Sequence, residues 1–84
     1  MKPREGILLR DCLGQAVLLD NSGRIDGVIK LNETAAFVWK RLEESKNPDE
    51  IAKLIAEEFE VEESIALSDV NELIKDFSEK GLLQ

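Results

Sequence analysis

Side chains able to act as nucleophiles, metal ligands or proton shuttles near neutral pH are almost missing from this chain. Its 84 residues contain one cysteine, Cys12, and no histidine. A single thiol rules out an internal disulfide. Without imidazole there is no Cys/His nucleophile pair, no Ser/His/Asp triad and no zinc site of the usual ligand set. No metal, no organic cofactor and no catalytic residue are therefore expected. Carboxylates are plentiful, with 18 Asp and Glu against 11 Lys and Arg. A working acid or base needs a carboxyl held in an environment that shifts its pKa, however, and no spacing here puts a pair of them in an apolar pocket. Solvated helix faces account for them. The residues alone lead to a small α+β interaction domain.

The charge balance narrows the partners. A formal net charge of −7 repels nucleic acid, whose phosphates are held mainly by clustered Lys and Arg. It suits a basic peptide or a basic patch on another protein, although excess Glu on helix faces explains it equally. No apolar stretch approaches the roughly 18 residues needed to span a bilayer. The basic start Met1-Lys2-Pro3-Arg4 leads into no long apolar region with a cleavage site. The sequence reads as a soluble, cytoplasmic chain forming one domain over residues 1–84, with no membrane partner.

The elements that would position any site divide into strands first and helices second. Gly6 to Arg10 and Gln15 to Asp20 are apolar runs of strand length, joined by a turn over Asp11-Cys12-Leu13-Gly14 into a hairpin. Asp20-Asn21-Ser22-Gly23 is a second turn, because short polar side chains bond their own backbone and Gly accepts positive φ. A third strand follows from Ile25 to Leu31, with Ile29 and Leu31 on one face and Val28 and Lys30 on the other. Asn32 is placed to cap a helix from Glu33 to about Glu44, with Trp39 on its buried stripe. Asn47-Pro48-Asp49-Glu50 combines an N-cap, a proline at the first helical position and a glutamate at N3, and starts a helix ending near Glu60. A last helix runs from about Glu63 to Lys80. Its stripe is Ala66, Val70, Leu73, Ile74 and Phe77, with Leu67 and Asn71 at the margin. Gly81 is placed as its C-terminal cap, so that Leu82 and Leu83 fold back onto the core.

The expected fold class is α+β, winged helix-turn-helix-like, with a three-stranded antiparallel sheet followed by three helices (βββααα). Such a fold raises DNA binding, in which the last helix enters the major groove with a basic surface. From Glu62 to Lys80 the charges are Glu62, Glu63, Asp69, Glu72, Asp76 and Glu79 against Lys75 and Lys80. Electrostatics exclude that role.

Leu31-Asn32-Glu33-Thr34-Ala35-Ala36-Phe37-Val38-Trp39, then Glu50-Ile51-Ala52, Asp69-Val70, Phe77 and Lys80-Gly81-Leu82-Leu83 resemble the PqqD family. The resemblance runs from Gly6 onward, and the Leu-Asn-Glu-Thr-Ala-Ala block is its specific part. It implies a binding module without chemistry of its own, a stand-alone recognition element for ribosomally made precursor peptides. Members hold the leader segment as an added strand on the third strand, in a groove closed by the third helix, and present it to a modifying enzyme. In pyrroloquinoline quinone biosynthesis that enzyme is a radical S-adenosylmethionine protein. Lys30, Asn71 and the acidic run Glu60 to Glu63 match no known leader, and the pathway stays open.

Strand addition suits the physics, since an edge offers unpaired N–H and C=O groups while side-chain pockets select. The expected contact set is Ile25, Val28, Ile29 and Lys30 from the third strand with Leu67, Asn71 and Ile74 from the helix margin. Val28 and Leu67 lie off the main buried stripe; for Ile29 and Ile74 plain core packing is the alternative. The competing class is a structural or regulatory protein that uses the same edge to form a homodimer.

Overall fold

A two-residue turn starts the sheet. In the computed structural model, which describes residues 2–84, Leu13 and Gly14 both take positive φ, at 52° and 84°. This is the geometry whose twist matches two antiparallel strands. Asp11 supports it by accepting from the Gly14 N–H at 2.9 Å. The tight turn lets β1 run over Ile7–Cys12 before β2, Gln15–Asp20. The strand is thus longer at its C-terminal end than the sequence suggests, because Asp11 and Cys12 pair rather than turn. β3 covers Val28–Leu31 only. Ile25 to Gly27 lie outside it, since the Ile25 N–H is taken by the Asp20 carboxylate at 3.0 Å and Gly27 turns the chain with φ 77°.

The strands are antiparallel in the order β1-β2-β3. Alternation places Ile7, Leu9, Ala16, Leu18, Ile29 and Leu31 on the inner face, and all six belong to the core or pack against it. Three helices cover that face: α1 (Glu33–Glu43), α2 (Pro48–Phe59) and α3 (Glu63–Glu79). The expected α+β order of three antiparallel strands followed by three helices is the order found.

Each helix end has a chemical reason. Asn32 accepts from Ala35 N–H at 2.8 Å to open α1. Asn47 and Glu50 exchange side-chain and backbone bonds at 2.9 and 3.0 Å to open α2. At the end of α3, Gly81 N–H donates to Ser78 C=O and Leu82 N–H to Phe77 C=O, at 3.0 and 2.9 Å. That pair of bonds is the Schellman pattern, with Gly81 at φ 74°. Leu82 then folds into the core at 1% exposure. No helix is long and apolar enough to cross a membrane among the described residues.

The termini meet beside β2. Arg4 N–H donates to Leu82 C=O at 2.7 Å, and its guanidinium pairs at 3.0 Å with Asp20, whose side chain is only 1% exposed. The hydrogen bond from the Ser22 hydroxyl holds the Asp20 carboxyl below its ordinary pKa, aided by the Ser22 and Ile25 N–H groups and by Arg4, against the opposing effect of burial. A depressed folded value gives stability that is present above the unfolded value and is lost as pH falls through the folded one. Asp20→Asn is expected to lower the melting temperature at neutral pH and to flatten its acid dependence below about pH 4. Thermal melts across the acid range check this; a variant that parallels the parent at every pH refutes it.

Candidate functional site

Which backbone groups the sheet leaves free follows from the hairpin. Residues flanking a two-residue turn exchange both main-chain bonds, so Cys12 and Gln15 form a bonded pair and every second pair beyond them does too. The sequence of bonded pairs is then Arg10 with Val17, Leu8 with Leu19, and Gly6 with Asn21. The last carries the Asn21 N–H to Gly6 C=O bond at 2.7 Å. Odd residues of β2 therefore serve β1, while Ala16 and Leu18 serve β3, opposite Leu31 and Ile29. Val28 and Lys30 turn their N–H and C=O groups away from the sheet. Among the described residues, no turn, loop or side-chain hydrogen bond reaches those groups.

The opposite edge is partly covered. By the same parity Leu9 faces outward on β1, and its C=O accepts from the Arg10 guanidinium at 2.9 Å. Ile7 N–H, also outward, donates to Arg4 C=O at 3.2 Å. Capping of this kind hinders an edge from pairing with other chains. β3 is the edge on which no outward group is capped among the described residues.

Just beyond the C-terminal end of β3, a cavity of about 410 Å3 separates Asn32 and Thr34 from Asp69, Glu72, Leu73 and Asp76 of α3. These four α3 residues recur at three and four, so they form one flank of the helix. The flank is negative: Asp76 is the member with an ion-pair partner, Lys80 at 3.0 Å, and that exposed pair adds only about 0.3–0.5 kcal/mol. A larger cleft of about 690 Å3 opens on the inner face beside β1, lined by Leu9, Phe37 and Phe59 among others. Its rim mixes Arg10, Lys40 and Arg41 with Asp11, Glu33 and Glu58, and it does not reach the free side of β3.

Of the expected contact residues, Val28 is 52% exposed and Lys30 is exposed on the outer face, while Ile29 points inward and packs against the core. Ile25 is half-buried in the loop before β3. On α3, Leu67 and Ile74 are half-buried against the core and Asn71 is exposed. At about 100° per residue these three lie on the flank of the Ala66, Val70 and Phe77 stripe opposite to Asp69, Glu72 and Asp76. The structure brings Val28, Ile29 and Lys30 together and leaves Leu67, Asn71 and Ile74 out of the cavity beyond β3. Sequence reasoning did not place Asn32, Thr34, Asp69, Glu72 or Asp76 among the contact residues. The signals for the α3 members were their charge and their three-four spacing, which mark a flank without saying what it faces.

Among the described residues no group of three or more His, Cys, Asp or Glu is placed to hold a metal ion. The free side of β3 offers main-chain donors and acceptors of the kind an extended peptide pairs with, and the acidic cavity lies beyond its C-terminal end.

Comparison with curated proteins gave no match. Two solved structures share the fold. TbiB1 in complex with the TbiA(beta) leader peptide superposes with a TM-score of 0.86 at 25% identity, over 100% of this chain and 95% of that one. A lasso peptide synthetase B1 complexed with the leader peptide gives 0.85 at 30% identity, over 99% of this chain and 95% of that one. The family model described as coenzyme PQQ synthesis protein D (PqqD) matches residues 15–83, from β2 through the C-terminal Leu83, and the chain belongs to that family.

Proposed function

We propose that this chain is a non-catalytic peptide-binding module that captures the leader segment of a ribosomally made precursor peptide and presents it to a modifying enzyme. The leader adds as a fourth strand on β3. One observation carries the reading: the N–H and C=O groups of Val28 and Lys30 all lack a partner among the described residues, whereas on β1 the Leu9 C=O and the Ile7 N–H are taken. Both similar structures are leader-peptide complexes, which supports it. In this reading Ile25, Val28, Ile29 and Lys30 form the strand side of the site. On α3 the wall is one of two flanks, Leu67, Asn71 and Ile74 or Asp69, Glu72 and Leu73. The partner enzyme implied by the family resemblance is a radical S-adenosylmethionine protein. A cytoplasmic place of work fits the exposed free thiol of Cys12 and the lack of a membrane-spanning helix among the described residues. Self-association through β3 is the competing reading; both similar structures are instead complexes with a leader peptide.

Titration with a synthetic leader segment of the precursor peptide encoded beside this chain's gene tests the proposal. Saturable binding by a monomer is expected, weakened by Leu73→Ala if the acidic flank is the wall and by Leu67→Ala if the other is. No binding of duplex DNA with a steep salt dependence is expected, because six acids face two lysines from Glu62 to Lys80. A concentration-dependent dimer that ignores the peptide, or a salt-sensitive DNA shift, overturns it.

A further inference from the structure

We infer that the Arg4–Asp20 pair is a brace between the segment leading into β3 and the C-terminal end of α3, the two sides of the proposed peptide groove, and that both residues are positioning residues for peptide docking; the docking half rests on the peptide-binding reading above. Arg4 Nη1 donates to the C=O of Gly81, the cap of α3, at 2.5 Å, and Nη2 donates to Asp20 Oδ2 at 3.0 Å. The same Asp20 oxygen accepts from Ile25 N–H at 3.0 Å, and Asp20 Oδ1 accepts from Ser22 N–H at 2.9 Å. One guanidinium therefore ties the C-terminal end of α3 to the carboxylate that shapes the segment leading into β3. Gly6 completes the junction: a Cβ there would meet the Ser22 Cβ at 3.5 Å, and its φ is 95°.

At the other end of the groove nothing comparable is found. Asn32 and Thr34 face Asp69, Glu72 and Asp76 across the cavity, and no bond between these two sets occurs among the described residues. The groove is tied at one end and open at the other. An added strand must lie roughly 4.8 Å from β3 with donor–acceptor distances of about 2.7–3.2 Å. A groove that receives such a strand has to hold its second wall at a matching distance before the peptide arrives, and the Arg4 side chain supplies such a link beside the Arg4 N–H bond to Leu82 C=O. Arg4 and Asp20 touch no part of the free edge themselves. Their effect on docking runs through the segment before β3 and through the end of α3.

The brace is tested without a ligand by pulsed electron–electron distance measurement between spin labels at Lys30→Cys on β3 and Glu72→Cys on α3, in a Cys12→Ser background. A single narrow distance is expected in the parent, with clear broadening in both Asp20→Asn and Arg4→Gln. Val38→Ala, a fully buried core position on α1, supplies a destabilised control in which the distribution stays narrow. Parent-like width in both brace variants, or equal broadening in Val38→Ala, overturns the brace. In unlabelled protein, Asp20→Asn is expected to weaken the leader segment by about tenfold, the worth of roughly one main-chain bond. A parent that binds leader and an Asp20→Asn variant that binds it equally well overturn the positioning role alone. A parent that binds no leader removes the peptide reading, and with it the positioning role, while the distance result still decides the brace.

Discussion

Trp39→Ala is expected to leave the chain largely unfolded near 37 °C. The indole is fully buried, and it meets Phe77 edge to face at 5.2 Å between ring centroids. Through Phe77 it joins α1 to α3. Truncating a buried Trp to Ala costs about 3–5 kcal/mol, from lost transfer energy and the cavity left behind. A chain of this size is held by only about 4–13 kcal/mol in total, and small cores sit at the lower end. The loss therefore consumes much or all of the margin. Trp39→Phe is the informative partner variant. The Trp39 Nε1 hydrogen is buried without an acceptor, and an unpaired buried donor carries a penalty of about 1–3 kcal/mol. Phenylalanine removes that penalty while keeping a ring against Phe77, so its cost is expected to be a small fraction of alanine's. Circular dichroism melts of the two variants check the contrast. A melting temperature unchanged in Trp39→Ala refutes the role of the indole in the core.

Much of this architecture is legible in the residues because local chemistry specifies it. The capping box at Asn47 and Glu50 starts α2 where its residue types require, and Gly81 ends α3 because the bonds from Gly81 and Leu82 need a left-handed residue there. Tertiary bonding decides where β3 begins. Nothing in Ile25-Asp26-Gly27-Val28 reveals that the Asp20 carboxylate five residues upstream captures the Ile25 N–H, and with it the start of the strand. The hairpin shows the complementary limit. Asp11-Cys12-Leu13-Gly14 reads as a four-residue turn, yet Leu13 accepts φ 52° and a two-residue turn results. That one choice sets the hydrogen-bonding parity of the whole sheet.

Which residues of β3 turn their backbone groups outward was hidden for the same reason. A strand's residues do not tell which side of it faces solvent, because that depends on strand order and on the pairing phase inherited from the hairpin. The wall of the groove poses a related problem. An amphipathic helix has two margins, and α3 carries plausible contact residues on both: Leu67, Asn71 and Ile74 on one, Asp69, Glu72 and Asp76 on the other. Periodicity identifies the buried stripe but is symmetric about it. The cavity beside Asn32 and Thr34 lies on the Asp69, Glu72 and Asp76 side.

Val28→Pro is expected to fold and to lose leader binding, whereas Ile29→Pro is expected to be unstable. Proline removes one backbone N–H and is tolerated in sheets only where that group faces outward. At Val28 the missing N–H lies on the free side of β3, and Gly27 before it has no Cβ to clash with the proline ring. The sheet therefore keeps its bonds, and an incoming strand loses one. At Ile29 the missing N–H is the one directed at Leu18 of β2, so the Leu18 C=O is left unpaired beside the core. An orphaned buried acceptor costs about 1–3 kcal/mol, before any distortion of the strand is added. Lys30→Pro shares the parity of Val28→Pro and is expected to behave like it. Melting curves read alongside leader titrations separate the two classes. Leader binding at parent affinity by both Val28→Pro and Lys30→Pro excludes β3 as the docking edge, because two main-chain donors directed at the added strand are then absent without effect.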